Sequence, residues 1–186
     1  MKRLICVCML MVSLWGCAGV QSEQALAMQL RDKLYKCESC SFTAVITADY
    51  TEEIYTFTMD CTVDAVGDMT FTVRQPESLQ GIGGRIRDTG GELIFEDTFL
   101  AFPTIADGLL TPITTPWIVL RGLRSGYFSA FGKETEGILV QIDDSYQGQP
   151  LQIDVLLSDA AIPQKAQVIW KGRRILSVEI ESFTIV

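Results

Sequence analysis

Six cysteines, 23 carboxylates and no histidine bound the chemistry this 186-residue chain can attempt. Without an imidazole there is no Ser–His or Cys–His nucleophile pair and no histidine metal site. Zinc wants about four ligands, and the three thiols at Cys37, Cys40 and Cys61 fall short of that. Cys37-Glu38-Ser39-Cys40 has redox spacing, but it follows a helical pattern and enters a strand. A reactive C-x-x-C wants the opposite order, with a helix N-terminus lowering the pKa of its first thiol. Asp60, Asp64 and Asp68 lack the spacing and central glycine of a calcium loop. Gly81-Ile82-Gly83-Gly84 fails the dinucleotide pattern and precedes no helix. Glu52-Glu53 and Asp143-Asp144 read as solvated turns, and no Gly-x-Ser-x-Gly is present. These residues point away from an enzyme and imply neither cofactor nor metal. The formal charge of −8 argues against nucleic acid as a partner, since phosphate backbones call for clustered Lys and Arg.

The amino terminus says where the chain goes. Lys2-Arg3 precedes an uncharged apolar run, Leu4 to Leu14, and Trp15-Gly16-Cys17 follows, the order of a secretory signal. Leu14-Trp15-Gly16-Cys17 resembles a bacterial lipobox, which implies cleavage before Cys17 and diacylglycerol on its sulfur. The alternative is an uncleaved anchor, because Leu4–Val20 carries no charge and approaches a spanning length. Both readings place the domain on the extracytoplasmic face of the bacterial cell membrane. Residues 1–16 hold Lys2 and Arg3 but no acid, so the mature chain has 13 basic against 23 acidic residues, a charge of −10. An anionic membrane surface repels such a domain, which leaves the lipid to hold it there.

The expected organisation is a signal at 1–16, a lipidated cysteine and tether at 17–24, and one folded domain at 25–186. Leu26, Leu30 and Leu34 place one apolar stripe on a helix over 25–36. From Ser41 the period drops to two: Phe42, Ala44, Ile46 and Ala48, then Tyr55, Phe57, Met59, Cys61 and Val63, then Met69, Phe71 and Val73 alternate with polar neighbours. That alternation predicts half-buried antiparallel strands with a turn at 66–68. Further strands are expected near 81–87, 92–96, 128–132, 138–143, 151–157, 166–171 and 175–184, joined mostly by short gaps as in a meander. Between Leu100 and Ser125 three prolines interrupt the pattern. There Thr115-Pro116 reads as a helix start, Gly126 as its stop, and Thr104 or Asp107 as the start of a shorter helix. The fold class is thus α+β: a large antiparallel, unclosed β-barrel covered by an N-terminal helix and a central helical insertion.

The first hairpin also bears on the thiols. Keeping Phe42 and Phe57 on one face permits two registers around a tight turn at 50–53. One sets Cys40 directly opposite Cys61, with Cβ atoms roughly 4.5–5.5 Å apart. In the other the two lie diagonally, too far for an unstrained bridge. The expectation is a Cys40–Cys61 disulfide with Cys37 free.

Several stretches carry a family likeness: Phe42-Thr43-Ala44-Val45-Ile46, Phe71-Thr72-Val73-Arg74-Gln75-Pro76-Glu77, Leu79-Gln80-Gly81-Ile82, Gly91-Glu92-Leu93-Ile94-Phe95 and Leu110-Thr111-Pro112. With the lipobox, this order of elements resembles the LolA/LolB-type, outer-membrane lipoprotein-sorting-like carrier superfamily. The resemblance implies a half-barrel plugged by helices, with an apolar cavity for a lipid, an acyl chain or a lipid-linked partner. A curved sheet covering its own apolar face leads to the same picture. Its interior would be lined by Tyr55, Phe57, Met59, Phe71, Val73 and Phe95, with Trp117 and Leu120 approaching from the insertion. The alternative is an envelope interaction or sensor module in which these side chains fill a solid core, since aromatic cores and aromatic pockets look alike in sequence.

Overall fold

One face of every long strand is apolar, and that face dictates the architecture. The computed structural model describes residues 18–49, 54–95, 98–101, 111–145 and 150–186. Eleven strands form a single antiparallel sheet: β1 (Ser39–Asp49), β2 (Ile54–Asp64), β3 (Met69–Gln75), β4 (Gly83–Arg87), β5 (Gly90–Phe95), β6 (Thr98–Ala101), β7 (Tyr127–Glu134), β8 (Gly137–Asp143), β9 (Leu151–Leu157), β10 (Pro163–Trp170) and β11 (Arg173–Ile185). Two α-helices accompany them among the described residues, α1 (Ala18–Lys36) and α2 (Thr115–Ser125).

The sheet order is β6-β5-β4-β3-β2-β1-β11-β10-β9-β8-β7. The expected meander is therefore two meanders, β1 to β6 and β7 to β11, joined by the pairing of β1 with β11. The sheet does not close, and the connection carrying α2 links its two edge strands, β6 and β7. Val186 completes the join by exchanging hydrogen bonds with Ser39. The outer strand β6 was missing from the expected elements, and the other strands fall within a few residues of their predicted places.

Alternation does what a period of two requires. On β1, Cys40, Phe42, Ala44, Ile46 and Ala48 are buried while their neighbours are half-buried. Met59, Cys61 and Val63 on β2 and Met69, Phe71 and Val73 on β3 turn the same way. From the other half, Val140, Ile142, Ile153, Val155, Leu157, Val168 and Val178 meet them with at most 1% exposure. Fully burying one such aliphatic side chain stabilises by about 1.5–3 kcal/mol. This shared face is the main source of stability.

Helix α1 begins at Ala18, so the stretch read as a tether is helical. The reason is local: Ser22-Glu23-Gln24-Ala25 contains good helix formers and no breaker. The buried stripe is Glu23, Ala27, Leu30 and Leu34, with Leu26 only partly buried beside it. Helix α2 starts where the insertion pattern said it would, but its cap differs. Thr115 is the first helical residue, and a 3-10 turn over Pro112–Thr114 leads into it. Thr111 caps that turn: its hydroxyl accepts from the Thr114 amide at 3.1 Å, and the Thr114 hydroxyl accepts from the Thr111 amide at 2.9 Å. Gly126 ends α2 as expected. Thr104 and Asp107, the possible start of a further helix, lie outside the described residues, as does Cys17.

Close approach explains two glycines. A Cβ on Gly122 would meet Ile153 Cδ1 at 3.2 Å, so the bare backbone lets α2 settle onto the sheet. A Cβ on Gly84 would meet the Phe71 ring at 2.5 Å, so that ring lies directly across the glycine of the neighbouring strand.

Candidate functional site

The β2–β3 turn, α1 and α2 meet at one corner of the half-barrel. Asp64 ends β2 and organises the turn: its Oδ1 accepts from the amides of Val66, Gly67 and Asp68 at 2.9–3.0 Å. Gly67 adopts φ +99°, a left-handed conformation suited to glycine. Helix α2 then grips this turn. Trp117 donates its indole N–H to the Gly67 carbonyl at 2.9 Å, and the Arg124 guanidinium donates to the Ala65 carbonyl. From the other side Arg31 of α1 donates to the carbonyls of Leu123 at 2.9 Å and Gly126 at 2.6 Å. Its guanidinium also lies 3.5 Å from the centre of the Phe128 ring.

Between these elements lies a cleft of about 240 Å³. Its floor is apolar, with Leu34, Val63, Trp117 and Leu120 all under 9% exposed. At its mouth Tyr35 is 54% exposed and Val66 82%, so the apolar lining continues to the surface. Four charged residues border it, Asp64 and Asp88 against Arg121 and Arg124. Arg121 is ion-paired with Asp144 and sits 4.9 Å over the Trp117 ring, while Arg124 lies 5.5 Å over Tyr35. Two acids balance two bases, so the lining carries no formal charge and selects by shape and apolarity.

Cys37 and Cys40 also line this cleft. The hairpin takes the second permitted register: Cys40 faces Val63 and Cys61 faces Phe42. Asp49 pairs with Ile54, the same register at the far end of the hairpin. Cys40 and Cys61 are consequently diagonal, and Cys37, Cys40 and Cys61 are all free thiols. The expected Cys40–Cys61 bridge is not formed. Burial pushes the Cys40 thiol up to about 12, with Cys37 adding to the effect and Arg124 opposing it. Burial raises Cys61 as well, helped by Asp60. Half-buried Cys37 donates to the Leu34 carbonyl at 3.3 Å. Thiols held neutral by burial, as Cys40 and Cys61 are, make poor nucleophiles. Among the described residues no group of three or more Cys, Asp and Glu is arranged to hold a metal.

Seven of the eight residues expected to line the interior separate into three sets, and the eighth, Phe95, lies apart from them. Trp117 and Leu120 reach the cleft. Met59, Phe71 and Val73 are 0–4% exposed inside the common core, where they pack rather than line space. Tyr55 and Phe57 continue the inward face of β2 beyond the buried part, stacked with ring centres 6.5 Å apart and Tyr55 45% exposed. Phe95 lies on β5, and its side chain is outside the described residues. Reading by strand parity missed Leu34, Tyr35, Val63 and Val66 as one surface. The available signal was the two-residue link between Lys36 and Ser39, which must hold the end of α1 beside the start of β1.

No helix among the described residues is long and apolar enough to cross a membrane. No family model matches the sequence, and no curated protein matches it either. Several solved structures resemble the chain. One is a putative outer membrane lipoprotein-sorting protein domain from Vibrio parahaemolyticus, at 10% identity and TM-score 0.48, covering 88% of this chain and 93% of that one. A LolA superfamily protein from Nitrosomonas europaea matches at 7% identity and TM-score 0.45, covering 88% and 93%. The lipoprotein LppX of Mycobacterium tuberculosis matches at 12% identity and TM-score 0.39, covering 86% and 95%. These are likenesses of fold alone.

Proposed function

We propose that this chain is a lipoprotein of the bacterial cell envelope, held to the extracytoplasmic face of the membrane by a lipid on Cys17, whose half-barrel binds an apolar ligand. The observation that carries the reading is the cleft. Trp117 and Leu120 form part of an apolar floor that opens to solvent past Tyr35 and Val66. Pockets that swallow drug-sized ligands hold roughly 300–1,000 Å³. At about 240 Å³ the cleft is smaller, so it takes one acyl chain or one apolar side group rather than a whole two-chain lipid. The stacked pair Tyr55 and Phe57 offers a second apolar surface on the same inward face of β2. Binding needs no cofactor and no catalytic residue.

Native mass spectrometry of the domain purified from an envelope fraction tests this directly. A retained apolar ligand, displaced by a fluorescent fatty acid, is the expected result. A bare protein that also fails to take up the probe would overturn the reading. Trp117→Ala removes a cleft wall and should weaken uptake about tenfold, equivalent to about 1.4 kcal/mol. Radiolabelled palmitate should enter the wild-type chain and not Cys17→Ala.

A second reading has its own support. The core of the half-barrel is filled by Met59, Phe71 and Val73, which suits a module that meets partners at its rim and carries no lipid. A partner captured at the mouth without bound lipid would favour it.

A further inference from the structure

We infer that the cleft is supplied from water with single-chain amphiphiles, such as a fatty acid or lysophospholipid monomer, and not with lipid of the bilayer that anchors the protein. The inference rests on the lipidated Cys17 of the proposed function and on two further observations.

The first is the position of the mouth relative to the anchor. Cys17 immediately precedes Ala18, the first residue of α1, so one peptide bond joins the lipidated residue to the helix. The helix residues that border the cleft, Leu34 and Tyr35, stand at its opposite end. At 1.5 Å per residue the rise from Ala18 to Leu34 is about 24 Å. Helix α1 is also fixed in the body of the domain, through buried Ala27, Leu30 and Leu34 and through the Arg31 bonds to α2. It therefore acts as a spacer that cannot fold the mouth back towards the anchor. The charge of −10 on the mature chain further disfavours laying the domain flat on an anionic surface.

The second is capacity. A cleft of about 240 Å³ with an uncharged balance of side chains suits one chain. One chain is also what reaches it. A single acyl chain binds a bilayer only marginally and exchanges through water, whereas two chains give stable anchoring. A mouth set back from the membrane by the length of α1 selects ligands that leave the bilayer unaided. The two chains on Cys17 keep the protein in place by the same rule.

Trp117 provides the reporter. Signal removal discards Trp15, so Trp170→Phe leaves Trp117 as the only tryptophan of the mature chain. The full lipidated protein is reconstituted in phosphatidylcholine vesicles and its emission followed with two quenchers. Dibrominated stearate added from water should extinguish most of the Trp117 emission. Dibrominated phosphatidylcholine built into the vesicles should leave it unchanged while the protein still floats with them. Trp117→Phe, which keeps Trp170 alone, should respond to neither. Quenching of Trp117 by the brominated bilayer would overturn the stand-off geometry even if stearate also binds. Failure of both quenchers in floating protein would instead remove the apolar site, and the inference with it. Protein that does not float would remove the anchor, and with it the geometry.

Discussion

Arg31 joins the two helices, and replacing it measures how firmly the cleft is built. Its Nε donates to the Leu123 carbonyl at 2.9 Å and its Nη2 to the Gly126 carbonyl at 2.6 Å, with a weaker contact to Gly122 at 3.4 Å. Leu123 lies in the last turn of α2, where carbonyls lack partners within the helix, and Gly126 is the residue that caps it; the Gly122 carbonyl already accepts from the Gly126 amide at 2.8 Å. A hydrogen bond to a charged group is worth about 1.5–3 kcal/mol net, and partial exposure argues for the lower end. Two such bonds give about 3 kcal/mol. The guanidinium stacked 3.5 Å from the Phe128 ring adds about 1 kcal/mol more. Water can reach part of this turn and recovers some of that total, which leaves a net cost of about 3 kcal/mol for Arg31→Met, a change that keeps the stem. Urea unfolding should show that loss at unchanged slope, and the melting temperature should fall by roughly 6–12 °C. Arg31→Lys keeps the charge at the helix end but not the fork, and should lose about half as much. A loss below about 1 kcal/mol for Met, or Lys behaving as wild type, would refute the idea that this fork seats α2.

Three further outcomes follow from the packing and the thiols. Gly84→Ala puts a methyl group against the Glu92 backbone carbonyl and 2.5 Å from the Phe71 ring and should cost about 1–3 kcal/mol in urea; a Gly84→Ala, Phe71→Leu double variant should recover only the part due to the ring. The thiols of Cys40 and Cys61 are held above the ordinary range by burial, so the folded state keeps protons that the unfolded state gives up. Their stabilising effect is complete below the unfolded thiol pKa and is lost as the pH climbs toward the folded values. Unfolding free energy should therefore fall above about pH 9, by about 1.4 kcal/mol per pH unit for each thiol, and a Cys40→Ala, Cys61→Ala variant should show a flatter alkaline limb. A thiol reagent at neutral pH should titrate half-buried Cys37 first and reach the other two only when urea opens the domain; mass mapping that found a Cys40–Cys61 bridge in native protein would contradict the observed register.

Periodicity made most of this fold legible. Strands β1, β2 and β3 alternate so regularly that their buried faces could be written down residue by residue, and Met59, Phe71 and Val73 are where the pattern put them. The register of the first hairpin was not legible at that level. Two registers share the same facing parity and differ by a two-residue slide of one strand along the other, which decides whether Cys40 meets Cys61 or Val63. Helix α1 was underestimated because apolar spacing marks only the stripe that leucines occupy, whereas Glu23 is buried on that stripe too. The cleft was half legible. Trp117 and Leu120 stood out as large apolar residues in an interrupted segment, but their partners come from α1 and the β2–β3 turn. The Gly67 carbonyl that holds Trp117 is 50 residues away, and the Leu123 carbonyl that holds Arg31 is 92 away. No local pattern encodes such contacts, because the topology rather than the period brings them together.

The central pairing of β1 with β11 has a consequence in time. Cys40 lies beside Ile185, so the seam between the two meanders joins the first described strand to the last. A contact of that sequence separation forms late and slowly. Each meander emerging alone would expose the edge that β1 or β11 later covers. A chain made from its amino terminus thus keeps β1 without its β11 partner until Arg173–Ile185 has been synthesised, and the half-barrel gains its central seam only then.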